Sequence, residues 1–376
     1  MVKILHMADL HLDSPFSLKN AETAQAMRRM LRGTFTSAVL YARTAKIDLV
    51  LMPGDIFDTG FAARETLALL CSEFEKNPDI RFIISPGNHD PYKPDSPWAK
   101  TEFPKNVYIF RSSSLSKISF DDLNCDVYGW AFTDDTMSVD PLAVKPRLDF
   151  DRINVLCAHC ELDGPVGGRY CSISKNELES SGFDFAALGH IHKGTDGAKR
   201  LRNTYYAYSG CLEGRSFDEC GQKSALIAEL DKRDGHLYAD FRTRSFTQRR
   251  FEVTDVDCSG CEDSVALADR INAAIRAASV GNEACVRAVL RGSVPPSLVV
   301  NEQALSPRIY GVRYIEIEDR TEPTLDMDRY ESEPGIRGAF CRAMAPYLSE
   351  GTEEERRIAA LALKIGLEAL SGRSLQ

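Results

Sequence analysis

Seven histidines occur in the 376 residues; four of them fall in short clusters with other cation-binding groups or glycine, and a fifth, His159, ends an apolar run. The clusters are Asp9 with His11; Asp55 and Asp58 after Gly54; Asn88, His89 and Asp90 after Gly87; His159 by itself; and His190 with His192 after Gly189. Carboxylate, amide oxygen and imidazole without thiolate make a donor set for hard or borderline divalent ions. The set is too long for one ion of about four to six ligands, so two ions sharing a bridging carboxylate is the economical reading. The i, i+2 spacing of Asp9 and His11, repeated in His190 and His192, turns both side chains of a pair to one side of an extended chain. Glycine at 54, 87 and 189 lets the backbone turn sharply where an ion or a phosphate approaches.

Each cluster follows a short apolar run. The runs at 2–8, 49–53, 81–86, 153–158 and 185–188 have the length and character of strands buried on both faces. Between them 22–46, 62–76 and 174–180 read as helices, which predicts a βαβ organisation around a largely parallel sheet. In an open α/β sheet the carboxyl ends of the strands line one crevice. Groups far apart in sequence are therefore expected to converge there.

Beyond Leu201 the runs at 204–209, 224–230 and 237–242 alternate like antiparallel strands joined by Gly and Asp turns, which places a first domain at 1–245. A helix at 265–278, strands at 285–291 and 312–318 and a loop at 293–296 predict a small α+β domain over 246–322. The polar segment 322–334 reads as a linker, and two helices fill the rest of 323–376. The last of them starts with Thr352 and Glu355 in capping-box spacing, sets Ile358, Leu361, Ala362 and Ile365 on one face, and stops near Gly372.

Composition narrows the classes. With 46 Lys+Arg against 55 Asp+Glu the formal charge is -9, which argues against a broadly basic surface that coats nucleic acid nonspecifically. The start is not that of a secretory leader and no membrane span is visible, so a cytoplasmic protein is expected. Eleven scattered cysteines fit reduced thiols. Cys258 and Cys261 form a CxxC without the second pair that a four-ligand zinc site needs.

DxH at 9–11, GDxxD at 54–58, GNHD at 87–90, His159 and GHIH at 189–192 stand in the order of the calcineurin-like metallophosphoesterases, which the chain resembles over residues 1–220. More narrowly, ADLHLDSPF, GDIFDTG and GHIH with a small domain to follow resemble the SbcD-type DNA repair exonucleases, nuclease subunits of the bacterial double-strand-break repair complex, and their YhaO-like branch. The resemblance implies a four-layer α/β/β/α sandwich with a small α+β capping domain and a helical C-terminal tail. It implies that Asp9, His11 and His192 hold one metal, that Asn88, His159 and His190 hold the second, and that Asp55 bridges them. His89 would stand over the substrate phosphate as a catalytic group. Asp58 stands where archaeal and eukaryotic relatives carry His; bacterial nuclease subunits and metallophosphatases share the Asp, and it could orient His89 through a hydrogen bond.

The implied activity is that of a manganese-dependent DNA nuclease in DNA repair, working with an SMC-like ATPase subunit that the C-terminal helices would meet. Manganese follows from the carboxylate and amide donors, although imidazole-rich sites also take zinc or iron. Two cations about 3.5–4 Å apart can acidify a bridging water and neutralise charge on phosphoryl oxygens. Protonation of the leaving oxygen by His89 would add about 10²–10⁴-fold. A phosphatase or phosphodiesterase for small phosphorylated molecules fits the five motifs equally; a scaffold that has lost activity fits the complete donor set poorly. A homodimer stays open, and no membrane partner is expected.

Other residues have plainer readings. His6 is expected in the core, and His236, in a turn, at the surface. Cys157 and Cys160 should alternate away from the site, while Asp13 and Asp90 should cap turns or orient neighbours. Arg242, Arg244, Arg249 and Arg250, with Arg28, Arg29 and Arg32 on a helix, are the basic groups that could meet DNA phosphates, though such clusters usually form solvated faces.

Overall fold

The five apolar runs form strands, but they divide between two sheets instead of sharing one. A computed structural model describes residues 1–16, 21–295, 298–324 and 331–370. In the first sheet β1 (Val2–His6), β2 (Leu49–Met52), β3 (Arg81–Ile84) and β4 (Val107–Ile109) run parallel. The second contains β5 (Ser116–Phe120), β6 (Cys125–Gly129), β7 (Ile153–His159), β8 (Phe185–Gly189), β9 (Lys199–Leu201) and β10 (Thr204–Tyr208). Its order is β9-β10-β8-β7-β6-β5, parallel through the middle and antiparallel at both edges. The hairpin of β11 (Ala225–Arg233) and β12 (His236–Arg244) returns to the first sheet, where β11 lies antiparallel beside β1 and gives the order β12-β11-β1-β2-β3-β4. A run buried on both faces reads the same in either sheet, so the division is invisible in local pattern.

The sheets pack face to face. Ile4, Leu51 and Ile83 of the first are fully buried in one core with Val127, Val155 and Ala187 of the second. On the outer face of the first sheet lie α1 (Ala21–Thr44) and α2 (Arg64–Glu75), whose Phe35 and Phe74 rings stack with each other and, through Phe74, with Phe82 of β3 at 4.4 Å. Helix α1 buries Met27, Leu31, Phe35, Ala38 and Ala42, an i, i+3, i+4 stripe. Each large side chain so buried contributes about 1.5–3 kcal/mol. Helix α3 (Lys175–Ser181) starts in a Ser174/Glu177 capping box, ends at left-handed Gly182, and covers the outer face of the second sheet with Leu178. The result is a four-layer α/β/β/α sandwich.

Contacts separate this unit, Met1–Arg250, from a second, Phe251–Gln376. In the second, β13 (Phe251–Asp257), β14 (Cys285–Arg291) and β15 (Tyr314–Asp319) form a parallel sheet, and α4 (Ser264–Ala278), capped by Asp263, makes the crossover from β13 to β14. Strand β13 had no expectation from sequence, because Glu252, Thr254, Asp255 and Asp257 break up its apolar residues. Cys258 and Cys261 are buried in this unit's core, and among the described residues no metal-capable group includes them. Part of the expected loop 293–296 is the short strand Ser293–Val294, which pairs with Glu322–Pro323. Residue 296, residues 325–330 of the expected linker and the stop near Gly372 lie outside the described residues.

Helices α5 (Ile336–Ser349) and α6 (Glu353–Leu370) pack through Cys341, Leu363 and Leu367. The Thr352–Glu355 capping box forms, with both the Thr352 amide and hydroxyl donating to Glu355 at 2.8 Å. The buried face of α6 is Ala359, Leu363 and Leu367, whereas the expected stripe of Ile358, Leu361 and Ile365 is 59%, 58% and 42% exposed. Among the described residues no helix is long and apolar enough to cross a membrane.

Candidate metal centre

The donor clusters meet where the carboxyl ends of the parallel strands in the two sheets come together. Beyond β1 the chain runs beside the turn after β2: the Asp9 amide donates to the Gly54 carbonyl at 3.2 Å, His11 to Asp55 at 2.9 Å and Leu12 to Ile56 at 2.8 Å. The second sheet closes on these turns. A Cβ on Gly54, whose φ is +83°, would run into the His159 imidazole, and one on Gly189 into the Pro53 carbonyl. Asp9, His11, Asp55 and His190 all have positive φ, of 51°, 43°, 52° and 105°. Each such non-glycine residue stores about 1–3 kcal/mol of strain that the surrounding packing must hold.

Asp9, His11, Asp55 and His192 each present an atom within 4.8 Å of the others. The Nε2 atoms of His11 and His192 are 3.1 Å apart. Asp55 Oδ2 is 3.8 Å from His11 Nε2 and 3.5 Å from His159 Nε2, and the latter is 2.9 Å from Asn88 Oδ1. Asp55 thus stands between the two groups. His190 donates its amide to Asp9 Oδ1 at 3.0 Å, while its ring lies against His159 and Tyr170, with centroids 5.2 and 4.8 Å away. All seven residues expected to be ligands are therefore neighbours, with Asp9, His11, Asp55 and His192 the tightest group and His159, Asn88 and His190 beside it.

Hydrogen bonds fix which imidazole nitrogen is available. His159 Nδ1 donates to the Pro53 carbonyl at 3.1 Å and His192 Nδ1 to Glu219 Oε1 at 2.7 Å, while His11 Nδ1 lies 3.1 Å from Asp58 Oδ1 without hydrogen-bond geometry. Each bond leaves Nε2 as the bare acceptor. His11 Nε2 and His192 Nε2, 3.1 Å apart, and His159 Nε2 with Asn88 Oδ1, 2.9 Å apart, are the paired groups from which a cation would be ligated.

Charges point the same way. Burial holds the His11 and His190 imidazoles down at about 4 and lowers His159, so all three are neutral donors. Burial, and then the charge of Asp55, raises the Asp9 carboxyl well above the usual range. Burial pushes the Asp55 carboxyl up too, but its closeness to His159, His11 and His89 and the bond from the His89 amide bring it below the usual range. Two buried carboxylates side by side with neutral imidazoles fit divalent cations, with Asp9, His11 and His192 on one side, His159, Asn88 and His190 on the other, and Asp55 shared.

Asp58 differs from expectation. Its carboxylate is engaged by His11 and by Arg215 Nη1 at 2.9 Å, so the bond to His89 Nδ1, at 3.0 Å, comes from its main-chain carbonyl. The exposed His89 is also held by its own amide, which donates to Asp55 Oδ1 at 2.9 Å. Asp90 accepts from the amides of Gly87, Asp55, Ile56 and Phe57, fixing two donor turns to each other. Asp13 ties the start of α2 to the site by accepting from the Ala63 amide and the Thr66 hydroxyl.

The plainer readings mostly stand. His6 donates Nε2 to Leu188 in the core, His236 is exposed, and Cys157 and Cys160 are buried in apolar clusters that raise both thiols. Of the basic residues Arg249 is a correction: it is only 2% exposed, with its amide on Glu213 and Nη1 on Met30, and it cannot reach a phosphate. Arg32 is paired with Asp13 and Glu65, Arg242 with Glu229, and Arg244 lies over Tyr41.

Arg215 and Glu219 were missed by sequence reasoning. Their one signal is that charged residues follow strand β10, whose end reaches the crevice only because β10 lies beside β8.

Residues 2–194 match the calcineurin-like phosphoesterase family, a span that contains all seven candidate ligands. The chain is 27% identical over 305 residues to the uncharacterized metallophosphoesterase YhaO of Bacillus subtilis (strain 168), covering 78% of this chain and 73% of that protein. Among solved structures it is similar to a dimetal phosphatase from Danio rerio, at 13% identity and TM-score 0.41 over 65% of this chain and 96% of that one. Vps29 complexed with zinc from Entamoeba histolytica gives 14% identity and TM-score 0.30 over 64% and 99%. With a family match across half of its length and with every donor cluster inside it, this chain belongs to the calcineurin-like phosphoesterases, metal-dependent hydrolases of phosphoesters.

Proposed function

We propose that this phosphoesterase is a cytoplasmic DNA nuclease, hydrolysing phosphodiester bonds at a two-metal centre that prefers manganese. The observation that carries this reading is the second unit. Likeness to YhaO runs over 305 residues, well past the family match at 2–194, so the relative shares sequence beyond the segment that holds the donors. A small ester needs little beyond the sandwich; a polymer must be held on both sides of the scissile phosphate.

In this reading the bound ions would supply the activated water and neutralise charge on the phosphoryl oxygens. Asp9, His11 and His192 would hold one ion, Asn88, His159 and His190 the other, and Asp55 both. His89, with Nδ1 committed to the Asp58 carbonyl, keeps Nε2 for the leaving oxygen. Its exposure leaves that side open to a chain that continues past the cut.

A phosphatase or phosphodiesterase for small phosphorylated molecules is favoured by a different observation: the acidic balance and the internal pairing of Arg32, Arg242 and Arg249 leave less basic surface for DNA. Metal-stripped protein given manganese should be assayed on labelled linear duplex DNA, single-stranded DNA and p-nitrophenyl phosphate. Cleavage of either DNA is expected. Hydrolysis of the ester with both DNAs intact would assign the enzyme to the small-molecule class.

The SMC-like ATPase partner belongs to the same proposal, with the exposed stripe of Ile358, Leu361 and Ile365 on α6 as the contact. Leu361→Asp is expected to leave the melting temperature unchanged, because the side chain is solvated, and to abolish co-purification with such a subunit. Retained co-purification would remove the stripe from the interface. Sedimentation of the same pair of proteins would show whether it serves a homodimer instead.

A further inference from the structure

We infer that Arg215 is a positioning residue which, with Glu219, braces two metal-binding imidazoles against each other across the two sheets; the inference rests on reading the site as a metal centre. The Arg215 guanidinium donates from Nη1 to Asp58 Oδ1 at 2.9 Å and from Nη2 to Glu219 Oε1 at 2.7 Å. Nε adds a bond to Glu219 Oε2 at 3.3 Å, and the Arg215 amide meets the same oxygen at 2.8 Å. The two carboxylate oxygens on the fork are also the ones beside the imidazole Nδ1 atoms: Asp58 Oδ1 lies 3.1 Å from His11 Nδ1, and Glu219 Oε1 takes the His192 Nδ1 bond at 2.7 Å.

The side chains His11, Asp58, Arg215, Glu219 and His192 therefore form a closed circuit, completed by the 3.1 Å approach of the two Nε2 atoms. His11 and Asp58 come from turns of the first sheet, and His192, Arg215 and Glu219 from segments after β8 and β10 of the second. Arg215 Nη2 also lies 3.1 Å from His192 Nδ1, so the fork crowds the face of that imidazole opposite its Nε2. Both guanidinium ends are spent on carboxylates and the side chain is 16% exposed, which leaves it to act through the imidazoles and not on substrate. A planar fork can span two carboxylates at fixed separation; a point charge on a flexible stem cannot. Lysine at 215 would thus keep the charge and lose the spacing.

The test is metal-stripped, full-length Arg215→Lys, with Arg152→Lys as a control that removes an arginine fork from Asp126, remote from the donor clusters. Manganese affinity by calorimetry is expected to fall about 10–100-fold in Arg215→Lys, the usual cost of disturbing groups behind metal ligands, and to stay unchanged in the control. Nitrogen NMR of the metal-free protein reads positioning directly. His192, whose Nδ1 bonds Glu219, should show a single Nδ1–H tautomer in the wild type and mixed tautomers in Arg215→Lys. Wild-type affinity together with a single His192 tautomer in the variant would overturn the brace. If the lysine variant does not fold, Glu219→Gln carries the same test, with the His192 tautomer expected to move and an unmoved tautomer counting against. A wild-type protein that binds no manganese would remove the metal reading itself, a result distinct from either.

Discussion

Asp55→Asn is expected to bind at least one divalent ion fewer and to lose about 10³-fold or more of its hydrolysis, and manganese should raise its melting temperature less than it raises that of the wild type. The first half follows from position. Asp55 Oδ2 is within 3.8 Å of a nitrogen in one donor group and 3.5 Å of a nitrogen in the other, so its charge is the one both ions would share. Metal ions contribute several kcal/mol of charge stabilisation to such a transition state, and each 1.36 kcal/mol is tenfold in rate.

The second half follows from the lost ion. In the metal-free protein Asp9 and Asp55 are buried together, and the charge of Asp55 helps push the Asp9 carboxyl upward. Asparagine keeps the shape, can accept from the His89 amide and removes that repulsion, but it also loses the ionised form that the surroundings favour, so the manganese-dependent shift is the readout. Melting curves with and without manganese separate the two effects. At about 100 times the dissociation constant a ligand adds about 2.7 kcal/mol of stability. The wild type should show that gain and Asp55→Asn should lack it. Asp257→Asn, on the exposed end of β13 in the other unit, should behave as wild type throughout. Normal manganese binding by Asp55→Asn would sink the shared-carboxylate assignment.

The donors were legible in sequence because their chemistry is concentrated. Five histidines with Asp, Asn and Gly at the ends of apolar runs have few readings apart from a cation site, and the structure brings all seven expected ligands together. What surrounds them was not legible. Arg215 and Glu219 lie in an ordinary charged segment whose meaning depends on β10 pairing with β8, a fact of tertiary structure. Asp58 illustrates the complementary error. Its place in the motif pointed to His89, but Arg215 and His11 compete for the carboxylate and leave only the carbonyl for that bond.

Charge and periodicity misled for related reasons. The run around Arg249 reads as basic surface, yet Glu213, 36 residues earlier in the chain, accepts its amide inside the protein, and sequence has no means to foresee that pairing. On α6 apolar residues occupy two faces. Ile358, Leu361 and Ile365 form one stripe, Ala359, Leu363 and Leu367 another, and only packing against α5 decides which is buried.

His89→Ala should keep both ions and lose about 10²–10⁴-fold in turnover, or roughly 2.7–5.4 kcal/mol of transition-state stabilisation. The geometry separates the side chain from the ligand set. The His89 amide, which alanine retains, is what contacts Asp55, and the ring is tied by Nδ1 to a carbonyl that can only accept, so Nε2 alone is left for chemistry. Loss should be smallest on esters whose leaving group needs no proton, such as p-nitrophenyl phosphate, and largest on a phosphodiester with an alkoxide leaving group. One feature of the site opposes this assignment. His89, His11 and Asp58 also come within 4.8 Å as a metal-capable group, so the ring could be a ligand after all. One fact weighs against that: Asp58 is already paired with Arg215. Calorimetry on the variant decides the matter, since a missing ion would make His89 a ligand, whereas two ions bound with wild-type affinity and a leaving-group-dependent loss of rate would make it the proton donor.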